Sequence, residues 1–220
     1  MYVMTLREWQ TKPKDPFSLI IQGYSTDGNH RWHTFPIGMP SNYVDYCHTL
    51  NLKMQLGSHD QKVLLCMNEN ADAQRRPDGM TPNRRSIAQT CIAAGIVSQN
   101  QRLTAEQYYT DLPSYKFVIS PQGKYVDNHR HYEALLAGCI PIVEFHAGIL
   151  EKYRGCPVLF TEDYSELTDD YLEAVYEKML DQEFDFSRLF LNNYSQDTQE
   201  YIKHCGNTWL HRHKNFPFYN

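Results

Sequence analysis

Arg130 and Glu133 stand three residues apart in the stretch Phe117–Val143, which reads FVISPQGKYVDNHRHYEALLAGCIPIV. A guanidinium can grip two oxygens of a phosphate with a planar fork of N–H groups. At the start of a helix, the unpaired backbone N–H groups add to that attraction for an anion. A carboxylate three positions further on falls on the same helix face and can accept hydrogen bonds from hydroxyl groups. Together the pair suits a sugar nucleotide, with a cation for the diphosphate and an acid for the sugar. The same two residues equally suit a plain i,i+3 surface ion pair worth about 0.3–0.5 kcal/mol. Spacing by itself leaves both readings open.

The neighbouring polar residues are consistent with a ligand loop. Ser120, Gly123 and Asn128 follow an apolar run and would be delivered to one end of a strand. Other chemistries lack their residues. There is no GxGxxG, no GxxxxGK[ST] and no GxSxG, so dinucleotide, P-loop and serine-hydrolase sites are not expected. The ten histidines suggest metal, chiefly through His129-Arg-His131 with Glu133 and through His211-Arg-His213. Residues i and i+2 of a helix diverge by about 200°, and a zinc site needs three or four converging ligands. No metal site is expected.

The elements that must carry these residues follow from periodicity. Lys62–Met67 and Lys116–Ser120 are short continuous apolar runs of the kind buried in a parallel sheet covered on both faces. Ile140–Val143 and Val158–Phe160 extend the series, and Ile96–Val97 is a further short candidate. Helices are expected over Arg84–Ala94, Thr104–Asp111 with Thr104 as cap, His131–Ala137 ended by Gly138, Ala147–Tyr153 and Thr168–Asp181. Phe186–Tyr194 and Gln196–His211 read as closing helices. The polar loop Asn68–Asn83 is too long for an ordinary connection and is a candidate functional loop. Ahead of these, Phe17–Ile21 reads as a strand and residues 41–56 as helical, with Ser41 as cap. Strand alternating with helix implies an α/β, Rossmann-like parallel sheet with helices on both faces. Such sheets bind ligands beyond the carboxyl ends of their strands. The expected division is an N-terminal extension, 1–60, and a Rossmann-like domain, 61–220.

Composition narrows the class. With 41% hydrophobic residues the chain can build a packed core. The 21 basic against 26 acidic residues give a net charge of −5, so no bulk basic field for nucleic acid exists and no nucleic-acid partner is expected. The tail His211–Tyr219 mixes cations with aromatics and reads mainly as a surface end. No apolar run reaches the roughly 18 residues of a membrane span, and Met1–Gln10 has no apolar leader core. A cytoplasmic protein is expected, a viral protein acting in the host cytosol among the cases. The six cysteines form no CxxC pair and sit in apolar segments, which reads as buried free thiols.

Taken whole, this segment resembles the exostosin-type glycosyltransferases. Their pattern of strand, S/P-x-G, variable loop and R-x-x-EAL-x-AGCIPIV is matched by Ser120-Pro121-Gln122-Gly123, Arg130-His131-Tyr132-Glu133-Ala134-Leu135 and Ala137–Val143. Pro157–Phe160 and Asp163–Leu167 are also similar, so the resemblance spans about Lys62–Tyr194. It implies the donor half of a GT-B fold and inverting transfer from a nucleotide sugar, UDP ahead of GDP, to a glycan or glycoprotein hydroxyl, with no essential metal cofactor. It implies that Arg130 contacts the diphosphate and Glu133 the nucleoside. It also implies polar residues after the first strand of this domain, here Asn68 and Asn70, and a phosphate-binding Arg84 or Arg85 on the next helix. With Arg75 and Arg76, those arginines equally fit a solvated basic loop. An inverting transfer needs a base, for which Asp127 and His129 are the candidates. The roughly 60 residues before Lys62 are too few for a second doubly wound domain. The acceptor side is therefore expected to be reduced or supplied by a partner chain. The alternative is a non-catalytic nucleotide-sugar or glycan-binding module that acts with a partner.

Overall fold

The computed structural model describes residues 59–189 and 193–197, the separate positions 43, 46, 56 and 57, and the backbone of 20–22 and 32–34. Two short strands, β1 (Ile20–Gln22) and β2 (Trp32–Thr34), pair in parallel. Four more form the main sheet: β3 (Gln61–Leu64), β4 (Tyr115–Ile119), β5 (Ile140–Glu144) and β6 (Leu159–Thr161). They lie in the order β3-β4-β5-β6, every pair parallel. Five helices lie wholly within the described residues: α1 (Arg84–Ala93), α2 (Ala105–Asp111), α3 (His129–Leu136), α4 (Ala147–Lys152) and α5 (Asp169–Leu180). This is the α/β, Rossmann-like arrangement that the alternating pattern predicts.

The sheet is buried on both faces because its strands carry apolar residues at consecutive positions; all five residues of β5 are buried. Val63, Phe117, Ile119, Ile140 and Ile142 point to one face, where Ile87 and Cys91 of α1 and Leu172 and Tyr176 of α5 cover them. Leu64, Cys66 and Val118 point to the other, against Tyr108 and Tyr109 of α2 and Ala134 of α3. A third cluster joins Tyr132 and Leu135 of α3 to Val143 and to Ile149 of α4. Burying a Leu, Ile or Phe side chain stabilises by about 1.5–3 kcal/mol. A chain with this pattern is therefore driven to layer helices on both faces.

Local chemistry sets the helix ends. Asn83 and Ser86 cap α1 reciprocally, and Thr104 and Gln107 do the same for α2. Thr168 caps α5, as expected from sequence. Helix α3 begins two residues before the predicted His131, because Asn128 accepts from the Arg130 N–H and starts the helix at His129. At its other end Gly138 has φ 82. Its N–H donates to the Leu135 carbonyl and that of Cys139 to the Ala134 carbonyl. This closure requires the left-handed backbone that glycine adopts without strain.

Two expectations are corrected. Ile96–Val97 is not a strand. After α1, Gly95 takes φ 71, and the Ile96 N–H is spent on the Cys91 carbonyl, closing the helix in the same way. Among the described residues of Phe186–Tyr194, Ser187–Leu189 form a 3-10 turn and Asn193 is also in 3-10 conformation, where an α-helix was expected. The expectation for Gln196–His211 lies almost entirely outside the described residues, as does most of 41–56. There Tyr43 is buried and donates to the Glu133 carbonyl. The four described cysteines, Cys66, Cys91, Cys139 and Cys156, are free thiols. No helix of the described residues is long and apolar enough to cross a membrane.

Candidate functional site

The loops that follow β3, β4 and β5 meet at the carboxyl end of the sheet, and buried charges hold them there. The long loop after β3 carries Asp72 and Arg76, which form an ion pair at 2.8 Å. Arg76 also bonds the Glu144 carboxylate at the end of β5 and donates to the Gln122 carbonyl at 3.1 Å. Glu144 accepts from the Gln122 N–H at 2.7 Å. Arg84, the first residue of α1, is 4% exposed. Its side chain donates to the carbonyls of Gln122 (2.9 Å), Pro121 (3.0 Å) and Asn68 (3.3 Å), and its backbone N–H donates to Asp72. Burial and the nearby Arg130 cation lower its pKa to about 10, so it stays charged at neutral pH. The loop Asn68–Asn83 is thus fastened to the Pro121–Gly123 loop by three arginines, Arg75 donating to the Gly123 carbonyl beside Arg76 and Arg84.

Beside this network lies a cleft of about 450 Å³, within the range usual for small-molecule sites. Cys66–Asn70, Asn100–Leu103 and Arg130 line it. Arg130 enters from the first turn of α3. Its guanidinium lies over the Tyr108 ring, 5.5 Å from the centroid, a cation–π distance. Its buried Nε and the buried Tyr108 hydroxyl each lack a hydrogen-bond partner among the described residues. Burial disfavours the Arg130 charge, but Tyr108 and Glu133 outweigh it and hold the pKa above its ordinary value. A cation on a cleft wall, seated on an aromatic face, is chemically fit to meet an anion.

The other predicted site residues fall into separate groups. Asn68 is exposed on the cleft wall, and its Oδ1 accepts from the Asn70 N–H. Glu133 is 6% exposed and is not part of that wall. Burial raises its carboxyl pKa against the opposing pull of Arg130 and His129. Asn128 serves as the cap of α3 and donates to the Pro121 carbonyl. Gly123 packs against Arg84: a Cβ there would stand 3.0 Å from Nη2. Ser120 is fully buried, with its hydroxyl 2.7 Å from His131 Nδ1. Arg85 points outward to Asp78 and Asn70.

The two candidate bases differ in setting. Asp127 is sealed: its carboxylate accepts from Tyr153 at 2.9 Å and stands 3.4 Å from the Lys152 ammonium, both side chains of that ion pair being 0% exposed. A base so enclosed cannot meet an acceptor hydroxyl, and the role expected of Asp127 passes to holding the loop. His129 is exposed at the head of α3, within electrostatic reach of Glu133 but off the cleft wall.

Sequence reasoning missed Asp72, Glu144, Glu69 and Asn100, and read Arg76, which is buried, only as part of a solvated basic loop. The i,i+4 spacing of Asp72 and Arg76 was a usable signal of a helix-like turn. Nothing local marks Glu144 as the partner of Arg76, 68 positions away. Among the described residues no three His, Cys, Asp or Glu side chains converge as metal ligands would. No protein-family model matches this chain, and no curated protein matches it significantly.

Proposed function

We propose that this chain binds a nucleoside diphosphate sugar, as the donor-binding part of an inverting glycosyltransferase of exostosin type. The observation that carries the reading is Arg130: a buried guanidinium nitrogen without a partner, on the wall of a cleft at the carboxyl end of a parallel sheet. That is the end at which open α/β sheets take ligands. Arg130 neutralises the diphosphate, and its seat on the Tyr108 face keeps the guanidinium in place before the ligand arrives. Exposed Arg102 on the same wall adds a second positive charge. As the bond from the sugar to the diphosphate breaks, negative charge builds on the leaving phosphate. A fixed cation there lowers the barrier. The acceptor is a glycan or glycoprotein hydroxyl, and UDP is the preferred nucleotide ahead of GDP.

A second reading is a module that binds the donor and turns over nothing without a partner chain. The enclosure of Asp127 favours it, because one of the two bases expected from sequence is spent on Lys152 and Tyr153.

Thermal unfolding with UDP, GDP, CDP, ADP, NAD and the UDP- and GDP-sugars tests the binding claim. Ligand at about 100 times its dissociation constant adds roughly 2.7 kcal/mol of stability, which one nucleoside diphosphate should deliver selectively. Arg130→Ala should abolish that stabilisation while the protein still unfolds cooperatively. Wild-type affinity in the variant, or no stabilisation of the native protein by any nucleotide, rejects the donor site. Turnover of a bound sugar nucleotide by the chain alone separates the enzyme from the module.

A further inference from the structure

The cleft has a second chemical end. Its charged lining residues are Arg102, Arg130 and one acid, Glu69. Resting on the donor reading, we propose that Glu69, held by Asn100, recognises a vicinal diol of the bound nucleotide sugar. The acid that the resemblance points to, Glu133, is buried off the wall. Glu69 lies on it.

Asn100 makes the carboxylate a fixed feature. Its amide oxygen accepts from the Met67 N–H at 3.0 Å and its amide nitrogen donates to the Met67 carbonyl at 3.0 Å. The side chain thus completes both backbone bonds beyond the end of β3, as a neighbouring strand would. The same nitrogen donates to Glu69 Oε1 at 2.8 Å. The next residue continues the attachment, with the Gln101 N–H donating to the Leu65 carbonyl at 2.8 Å. An amide anchored on the backbone in this way aims one carboxylate oxygen and leaves Oε2 without a hydrogen bond to any described residue. A carboxylate accepts only, and it repels phosphate. Its match is a pair of adjacent hydroxyls, each donating one O–H. Phosphate toward Arg130 and hydroxyls toward Glu69 then give the ligand one orientation in the cleft. The diol belongs either to the nucleotide ribose or to the sugar beyond the diphosphate. The chemistry at Glu69 is the same for both.

Isothermal titration distinguishes these sources and tests the proposal. UDP and GDP are compared with their 2′-deoxy counterparts, and with UDP-glucose and GDP-mannose, on the wild-type protein, Glu69→Gln and Glu69→Ala. The Gln variant keeps an oxygen for Asn100 and removes the charge, so folding is preserved; unfolding curves confirm it. Hydrogen bonds to a charged group are the stronger kind. A ribose contact therefore appears as a wild-type preference of about tenfold or more for the ribonucleotide, reduced several-fold in both variants. A sugar contact appears as a preference for the nucleotide sugar over the diphosphate, reduced likewise. Either pattern supports the proposal. Wild-type binding with neither preference, or with preferences unchanged in both variants, overturns it and leaves the donor site standing. Failure of the wild-type protein to bind any of these nucleotides overturns the proposal and the donor reading together.

Discussion

The three arginines considered for phosphate binding have three different fates. Arg84 is buried and fully engaged, giving its donors to three backbone carbonyls. Arg85 is 44% exposed and pairs with an Asp78 side chain that is 80% exposed. Arg130 has a buried nitrogen with no partner. Their consequences separate accordingly. Arg84→Ala removes charged hydrogen bonds from a buried loop junction and should cost about 2–4 kcal/mol. Arg85→Ala removes an exposed pair and should change stability by no more than about 0.5 kcal/mol. Urea denaturation of the two variants at neutral pH measures the difference. Equal effects would mean that the Arg84 network contributes nothing beyond a surface contact. Arg84 spends its donors on carbonyls and Arg85 on Asp78 and Asn70, whereas Arg130 lines the cleft.

At the scale of elements, helix α3 acts as the pointer of the site, and its origin matters more than its length. Asn128 fixes where it starts: its oxygen takes the Arg130 N–H at 2.8 Å and its nitrogen reaches the Pro121 carbonyl at 2.9 Å. One side chain therefore ties the first turn of the helix to the loop after β4. Asn128→Ala should destabilise the protein by about 1–2 kcal/mol, whereas Asn128→Asp, which keeps the cap and loses the amide donor, should cost less. Guanidinium chloride denaturation of both variants checks the order; an alanine variant as stable as the aspartate one would show that the cap contributes nothing. The loop Asn68–Asn83 is ordered on a different principle. Its length suggested function, and its chain is held by the buried Asp72–Arg76–Glu144 connection. Ion pairs of that kind set a geometry more reliably than they add net stability.

At the scale of the whole molecule, the third cluster adjoins buried polar groups as well as apolar side chains. His131 stands edge-on to Tyr153 with ring centroids 5.9 Å apart, and Tyr153 in turn bonds Asp127 beside Lys152. Burial and the surrounding cations, Arg84 first among them, lower the His131 pKa from its ordinary 6.5 to about 3. The unfolded chain binds that proton below about 6.5, and the folded protein does not until about 3. Between those values the unfolded state holds more protons, so stability falls as pH falls. The contribution of His131 is fully present above the upper value and is lost toward the lower one. Its size is on the order of 5 kcal/mol, taking about 1.4 kcal/mol for each of about 3.5 pH units. Denaturation of the wild-type protein and of His131→Gln from pH 7 to pH 4 should show the gap in pH dependence narrowing in this sense. Parallel curves for the two proteins would refute it.

The fold class, the central strands, three of the helix caps or stops and the candidate cation Arg130 were legible in the amino-acid order. Each depends on neighbours within about seven residues: a continuous apolar run, a Thr ahead of a helix, a Gly behind one, an Arg at a helix head. Ile96–Val97 shows the limit of that range, since an apolar pair reads as a strand until the preceding glycine is seen to close a helix over it. The accessibility of each polar side chain was decided only by tertiary structure. Asp127 and Glu69 are both loop carboxylates in sequence. One is enclosed by Lys152 and Tyr153 and the other faces a cleft beside Asn100. Charge burial depends on which distant segments converge, and partners 25 to 68 positions apart leave no periodicity by which one sequence could announce them.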